Sequence, residues 1–390
     1  MNFIYLSPHF PPNYYQFCYH LHILGVNVLG LADEPYDLLK PELKASLTEY
    51  FRVNDMHLYD DLLRALGFFT HRYGKIDRID SHNEYWLETE ARLRTDFNIP
   101  GLTLAEINRV KRKSLMKQAF VKAGIPVARG KVVQTIKDAR RLINDTGYPV
   151  VAKPDIGVGA AKTYKIYNEA QLEQFFEQKP QVDYIMEEFI SGVICTFDGL
   201  TDREGNPVFY TSHQYSQGIM ETVNDDTDIY YYSLRDIPPD LEDAGRRTLK
   251  AFNVRERFFH FEFFRNIDDQ IVALEVNIRP PGGMTTDMFN FANDIDIYKE
   301  WANIVVHNNF TSEYSRKYHC CYVGRKFNRR YFHSHEEILA NLGDQIVYHE
   351  RISGIFSAAL GDYGYLLRSP DLGEIYSMAE YIQKKAEYSS

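Results

Sequence analysis

Two strand-like runs separated by a short polar turn, 258–264 and 271–278, constrain this 390-residue chain more than any other segment. If the chain reverses at Asp268-Asp269, Ile267 faces Gln270, and counting back places Glu262 opposite Glu275. Directly opposed residues on antiparallel strands hold their Cβ atoms about 4.5–5.5 Å apart. Two carboxylates that close repel, so the pair needs a divalent cation with oxygen ligands, or a raised pKa on one carboxyl. Glu275, Asn277 and Arg279 are spaced by two and share one strand face. That face joins two carboxylates, an amide oxygen and a guanidinium, whose planar fork matches carboxylate or phosphate oxygens. The plain alternative is a solvated face on which Arg279 pairs with Glu275. Pro280-Pro281-Gly282-Gly283 then ends the strand abruptly, as backbone that passes close to a ligand often does.

The segments before the hairpin alternate in period. Apolar strand-like runs at 2–6, 26–31 and 78–80 are separated by helical patterns at 14–24 and 58–69, with another at 84–96. Such alternation predicts βαβ units and a parallel sheet. A helix is expected over 105–123, closed by Gly124 and Pro126, then strands at 127–133 and 148–153 flanking a helix at 136–145. The second of these strands finishes on Lys153 and leads into a small-residue loop, 155–162, with Gly157, Gly159 and Lys162. Loop N–H groups and a lysine can hold phosphates, although Gly157-Val158-Gly159 is no Walker A sequence. Further strands are expected at 163–167, 184–190, 230–232 and 319–323, and a last helix near 377–386. The acidic stretch 224–228 reads as a solvated loop.

Composition narrows the function classes. The net charge of −10 argues against a general nucleic-acid binder, which needs a basic surface. No apolar run reaches 18 residues, so no membrane span is expected, and prolines at 8, 11 and 12 disfavour a signal peptide. Cys18, Cys195, Cys320 and Cys321 form no C-x-x-C pair, which fits a reducing, cytoplasmic setting. His333 and His335 alternate as on a strand, but two histidines make no zinc site without further ligands. A nicotinamide oxidoreductase would need G-x-G-x-x-G after the first strand; Ser7-Pro8-His9-Phe10-Pro11-Pro12 stands there instead.

In order and spacing, the run from Ile99 resembles the ATP-grasp superfamily. The motifs are Ile99-Pro100-Gly101, Lys113-Ser114-Leu115-Met116-Lys117, Gly124-Ile125-Pro126, Val151-Ala152-Lys153-Pro154, Glu187-Glu188-Phe189-Ile190, and Glu262 with Glu275-Val276-Asn277-Ile278-Arg279. The resemblance covers roughly 99–305. The resemblance implies an α/β and α+β multidomain chain. A Rossmann-like pre-ATP-grasp domain would occupy 1–103, and a small, lid-bearing ATP-grasp subdomain 104–185. A large subdomain with the metal hairpin would occupy 186–310, and a small mixed α/β C-terminal segment 311–390. It further implies that Lys113 and Lys153 contact ATP phosphates and that 157–162, including Gly157, Gly159 and Lys162, cover them. Glu187, Glu188, Phe189 and Ile190 would form the adenine slot. Glu262, Glu275 and Asn277 would hold one or two Mg²⁺ ions, or Mn²⁺, with Arg279 and Lys153 in catalytic roles. This chain departs from the pattern at Arg112, where relatives often have aspartate, at Ile194, where several carry glutamate, and at Ile278, where proline is common.

The activity so implied is ligation of a carboxylate to an amine through an acyl phosphate, with release of ADP and phosphate. The Arg279-Pro280-Pro281-Gly282-Gly283 ending resembles amino-acid ligases more than biotin carboxylase. The alternatives are a carboxylation enzyme of the carbamoyl-phosphate-synthetase or biotin-carboxylase kind, and a non-catalytic ATP sensor. The expected partners are small-molecule carboxylate and amine substrates, with no nucleic acid and no membrane, and a homodimer is left open. Glu84 and Glu88, one helical turn apart, read as a solvated helix face or as a reader of a substrate amine. His9 ends the first strand, where open α/β sheets place ligands.

Overall fold

The computed structural model describes residues 1–157, 162–218, 222, 226–352 and 354–386. The N-terminal alternation folds as its period predicts. Strands β1 (Asn2–Leu6), β2 (Asn27–Ala32), β3 (Glu49–Arg52) and β4 (Arg78–Asp80) form a parallel sheet in the order β3-β2-β1-β4. Helices α1 (Tyr15–Ile23), α2 (Pro41–Ser46), α3 (Tyr59–Tyr73) and α4 (Leu87–Asp96) connect and cover it. All five residues of β1 are buried, as in a strand covered on both faces. The helix expected over 84–96 starts with a 3-10 turn, Glu84–Trp86, capped by the Asn83 side chain.

The long helix expected over 105–123 is two helices, α5 (Leu104–Lys111) and α6 (Lys113–Lys122), broken at an extended Arg112. Asp155 causes the break. Its carbonyl accepts from the Lys113 N–H at 2.8 Å, and its carboxylate accepts from the Ser114 N–H at 2.8 Å and the Ser114 hydroxyl at 3.0 Å. A residue 41 positions later thus caps α6, satisfying donors that a helix start leaves open.

A small antiparallel sheet follows, built from β5 (Gly130–Val133), β6 (Val150–Pro154), β7 (Tyr164–Ile166) and β8 (Tyr184–Glu188) in the order β5-β8-β6-β7. Helices α7 (Ile136–Thr146) and α8 (Glu169–Gln178) pack on it through Leu142, Leu172 and Phe175. The strand expected to begin at 127 begins at Gly130, because Val127 instead bridges to Ala273 of the later hairpin.

The largest sheet comprises β9 (Gly192–Thr201), β10 (Pro207–Thr211), β11 (His213–Tyr215), β12 (Tyr230–Ser233), β13 (Phe258–Asn266) and β14 (Ile271–Asn277), with helix α9 (Pro239–Phe252) before the hairpin. After α10 (Thr285–Asn293) and α11 (Ile297–His307), strand β15 (His319–Arg325) joins β12 in the same sheet. Helix α12 (His335–Leu342), β16 (Ile346–Arg351), α13 (Gly354–Leu360), β17 (Tyr363–Ser369) and α14 (Leu372–Gln383) complete the chain. The last helix therefore starts at Leu372, earlier than the 377 expected. His335 opens a helix, not a strand, and its ring bonds to the Tyr365 hydroxyl at 2.8 Å. The acidic stretch 224–228 lies partly outside the described residues.

Candidate active site

The hairpin places Glu262 directly opposite Glu275, as counted from the sequence, but by a different route. The turn has three residues, Ile267-Asp268-Asp269, so Asn266, not Ile267, closes on Gln270, with Asn266 N–H donating to the Gln270 carbonyl at 3.0 Å. Asp269 takes the left-handed φ of 59° that such a turn needs. An extra residue, Leu274, then bulges between the pairs Phe263–Ala273 and Glu262–Glu275 and restores the counted register.

Each carboxylate of the pair has its own cation. Lys113 Nζ lies 2.9 Å from Glu275 Oε1, and His260 Nε2 lies 3.1 Å from Glu262 Oε1. Burial draws the Lys113 pKa down, but Glu275, with Glu84 and Glu187 behind it, outweighs burial and holds it above the usual lysine value. Burial likewise opposes the charge on His260, yet Asp198 and Glu262 raise its pKa to about 9. Asp198 is fully buried on β9. It accepts from the rings of His260 at 2.6 Å and His213 at 2.7 Å, and from the Thr196 hydroxyl at 2.5 Å. Burial raises the Asp198 pKa, while the two histidines more than offset this and lower it to about 2.

Helix α6 joins the hairpin to the small sheet. Lys113 and Lys117 stand one turn apart on the same face. Lys113 reaches Glu275, and Lys117 Nζ reaches Glu187 Oε1 at 2.7 Å. Lys153 Nζ meets the other oxygen, Glu187 Oε2, also at 2.7 Å. Glu187 is buried, and such burial costs a carboxylate several kcal/mol unless it is well paired. Lys153 and Lys117 overcome that penalty and hold its pKa below the usual carboxylate value. Gly130 makes room: a Cβ there would sit 2.6 Å from Glu187 Cγ and 2.7 Å from the Met186 carbonyl.

The remaining expected residues lie around this group. The Gly157 carbonyl accepts from Lys113 Nζ at 3.3 Å, and the Lys162 carbonyl accepts from the Tyr184 hydroxyl at 3.3 Å. Gly159 lies outside the described residues. Glu188 accepts from the Arg129 backbone N–H and side-chain Nε, both at 2.7 Å, and so ties β8 to the segment before β5. Lys165 Nζ stands 3.5 Å from the centre of the Phe189 ring, and Ile190 follows it, half-buried. Arg279 pairs with Glu84, not with Glu275: its Nη2 and Nε donate to Glu84 Oε2 at 2.7 and 3.2 Å. Glu84 is therefore no solvated helix face, while Glu88 pairs with Lys111 at 2.9 Å. His9 carries a buried Nδ1 without a partner among the described residues.

Sequence reasoning missed Lys117, Asp198, His213 and His260 as members of this cluster. Lys117 stood inside the quoted lysine motif, and its spacing of four from Lys113 was the available signal. His260 alternates with Glu262 on one strand, so it too was within reach of period-two counting.

The donor set suits a hard cation. Glu262, Glu275 and Asn277 offer oxygens only, and Mg²⁺ is commonly bound by one or two carboxylates completed by substrate phosphates. Among the described residues no group of three or more His, Cys, Asp or Glu side chains gathers to hold a metal alone. No described helix is long and apolar enough to cross a membrane.

Residues 146–287, which include β6 to β8 of the small sheet and the dicarboxylate hairpin, match the ATP-grasp domain family. The chain carries an ATP-grasp domain. Among curated relatives it is similar to the L-arginine-specific L-amino acid ligase of Bacillus subtilis, 22% identical over 266 residues, 65% of this chain and 64% of that ligase. The match thus spans less than two thirds of the relative's length. Among solved structures, the L-amino acid ligase of Bacillus licheniformis superposes with a TM-score of 0.75 at 13% identity, covering 97% of this chain and 96% of that one. The biotin carboxylase domain of Hydrogenobacter thermophilus 2-oxoglutarate carboxylase, solved with MgADP and bicarbonate, gives a TM-score of 0.69 at 16% identity. There the coverage is 95% of this chain and 86% of that chain.

Proposed function

We propose that this chain is an ATP-dependent carboxylate–amine ligase acting through an acyl phosphate. The observation that carries the reading is the opposed pair Glu262 and Glu275, tied through Lys113 and Lys117 on one helix to the Glu187–Lys153 pair. Lys113 and Lys153 bind the ATP phosphates, and residues 157–162 cover them. Glu187, Glu188, Phe189 and Ile190 line the adenine side. When bound at Glu262, Glu275 and Asn277, Mg²⁺ supplies charge neutralisation at phosphoryl oxygens. Arg279, held by Glu84, steadies the substrate carboxylate or the transferred phosphoryl group.

The γ-phosphoryl group passes to a carboxylate oxygen as its bond to the β-phosphate oxygen breaks, leaving ADP. An amine then attacks the activated carbonyl, forming the C–N bond and expelling phosphate, and the amine's proton is lost to solvent. Positioning and cationic side chains do most of this work. The likeness to two amino-acid ligases supports an amino acid or similar small carboxylate as substrate. On this reading residues 1–103 form the pre-ATP-grasp domain, 104–185 the lid-bearing subdomain, 186–310 the large subdomain and 311–390 the C-terminal segment.

The test is ADP release with Mg²⁺ across a panel of amino acids, singly and in pairs, with hydroxylamine present to trap an acyl phosphate as hydroxamate. ADP and hydroxamate appearing together with one substrate supports the proposal. ATP binding with no ADP from any mixture would leave a sensor in its place.

A further inference from the structure

Helix α6 shows Lys113 and Lys117 to the nucleotide side, while its Leu115, Ala119 and Lys122 face a separate cavity of about 1100 Å³. The cavity opens where the linker 100–102, α5, α6, the end of α9 and the loop 253–257 approach β4. In volume it matches the upper end of small-molecule sites, roughly 300–1,000 Å³. None of the phosphate, adenine or metal residues named above lines it.

Its charge is opposite to that of the chain. Nine lysines and arginines line it against three carboxylates, although Asp and Glu outnumber Lys and Arg by 54 to 44 in the whole sequence. The three carboxylates are already engaged. Glu256 takes Arg78 at 3.0 and 3.1 Å, Asp80 takes Arg257 at 3.2 Å, and Glu106 closes the α5 capping box with Thr103. Four cations are left uncompensated by any described carboxylate. Lys122 and Lys250 are exposed on the rim. Arg109 reaches only the Ala251 carbonyl at 3.5 Å, and Arg255 only the Asn253 amide oxygen at 2.8 Å. Leu102, Leu115 and Ala119 supply accessible apolar lining, above buried Phe252 and Trp301. A concave wall with one sign of charge concentrates counter-ions, and charged hydrogen bonds to phosphate are the strong ones.

We propose that this cavity is a second ligand site, separate from the nucleotide site, for a small phosphorylated molecule with an apolar or aromatic body. The phosphate sits among Lys122, Lys250, Arg109 and Arg255, and the body against Leu102, Leu115 and Ala119.

The probe is 1-naphthyl phosphate, followed by fluorescence anisotropy on the full chain presaturated with Mg²⁺ and a non-hydrolysable ATP analogue. Saturable binding is expected, weakened at least tenfold by Lys122→Glu with Lys250→Glu. The same pair should leave the affinity for the ATP analogue unchanged, which separates this site from the nucleotide reading. A control pair, Lys75→Glu with Lys137→Glu, reverses two exposed charges elsewhere and should leave probe binding intact. The proposal is overturned by no saturable binding, by equal affinity in the rim variant, or by equal loss in the control.

Discussion

Lys113 Nζ sits 2.9 Å from Glu275 Oε1, at the point where a helix start, Gly157 after β6 and the dicarboxylate hairpin converge. The lysine offsets one of two opposed carboxylates, and on the proposed reading it contacts an ATP phosphate. Lys113→Met is therefore expected to lower kcat/KM for ATP by about 10²–10³-fold, the range for losing one preorganised charge partner. Steady-state ADP release against ATP concentration checks it, and a loss under threefold would count against the assignment.

Asp155 fixes the start of the helix that carries that lysine. Its side chain is only 2% exposed and its carboxylate holds Ser114 at the head of α6. Asp155→Ala removes a cap, worth about 0.5–2 kcal/mol. Chemical denaturation should show that loss, and kcat should fall at least tenfold because Lys113 is no longer oriented. Asp155→Asn, which keeps an acceptor for Ser114, should recover part of both.

Glu187 is the only carboxylate on Lys117 and Lys153 among the described ion pairs. Glu187→Gln leaves two buried ammonium groups uncompensated. Breaking a buried pair from one side costs about 3–5 kcal/mol, so a clear fall in Tm is expected. A Tm within a degree or two of the parent would show that the cluster is solvated.

Asp198 gives a pH signature. Its folded pKa of about 2 lies below its unfolded value, so the proton it binds on unfolding disfavours folding as acid is added. Its contribution is complete above the unfolded carboxylate pKa and lost as pH falls through the folded value. That window runs from about pH 4 down to about pH 2, and the contribution is roughly 2–3 kcal/mol. Urea midpoints measured across that window should fall in the parent, and the fall should be smaller in Asp198→Asn.

Much of this was legible in the sequence, for physical reasons that also mark the limit. The period of two placed Glu262, Glu275 and Asn277 together, and it survived a wrong turn count because the three-residue turn and the Leu274 bulge cancel. The alternation at 2–80 gave the parallel sheet. The break at Arg112 was not legible, because Asp155 causes it from 43 residues away and leaves the apolar periodicity of 105–123 intact. The Arg279–Glu84 pair spans 195 residues and has no periodic signature. Asp198 with His260 is likewise a cross-strand contact whose register depends on β9 pairing with β13.

On the proposed reading, Glu262 and Glu275 jointly bind the metal of a metal–nucleotide complex. Electron paramagnetic resonance of Mn²⁺, titrated with a non-hydrolysable ATP analogue present, tests it directly in the parent, Glu262→Gln and Glu275→Gln. Tight Mn²⁺ binding in the parent and at least a tenfold weaker affinity in each variant is the predicted result. Equal Mn²⁺ affinity in all three proteins would contradict it.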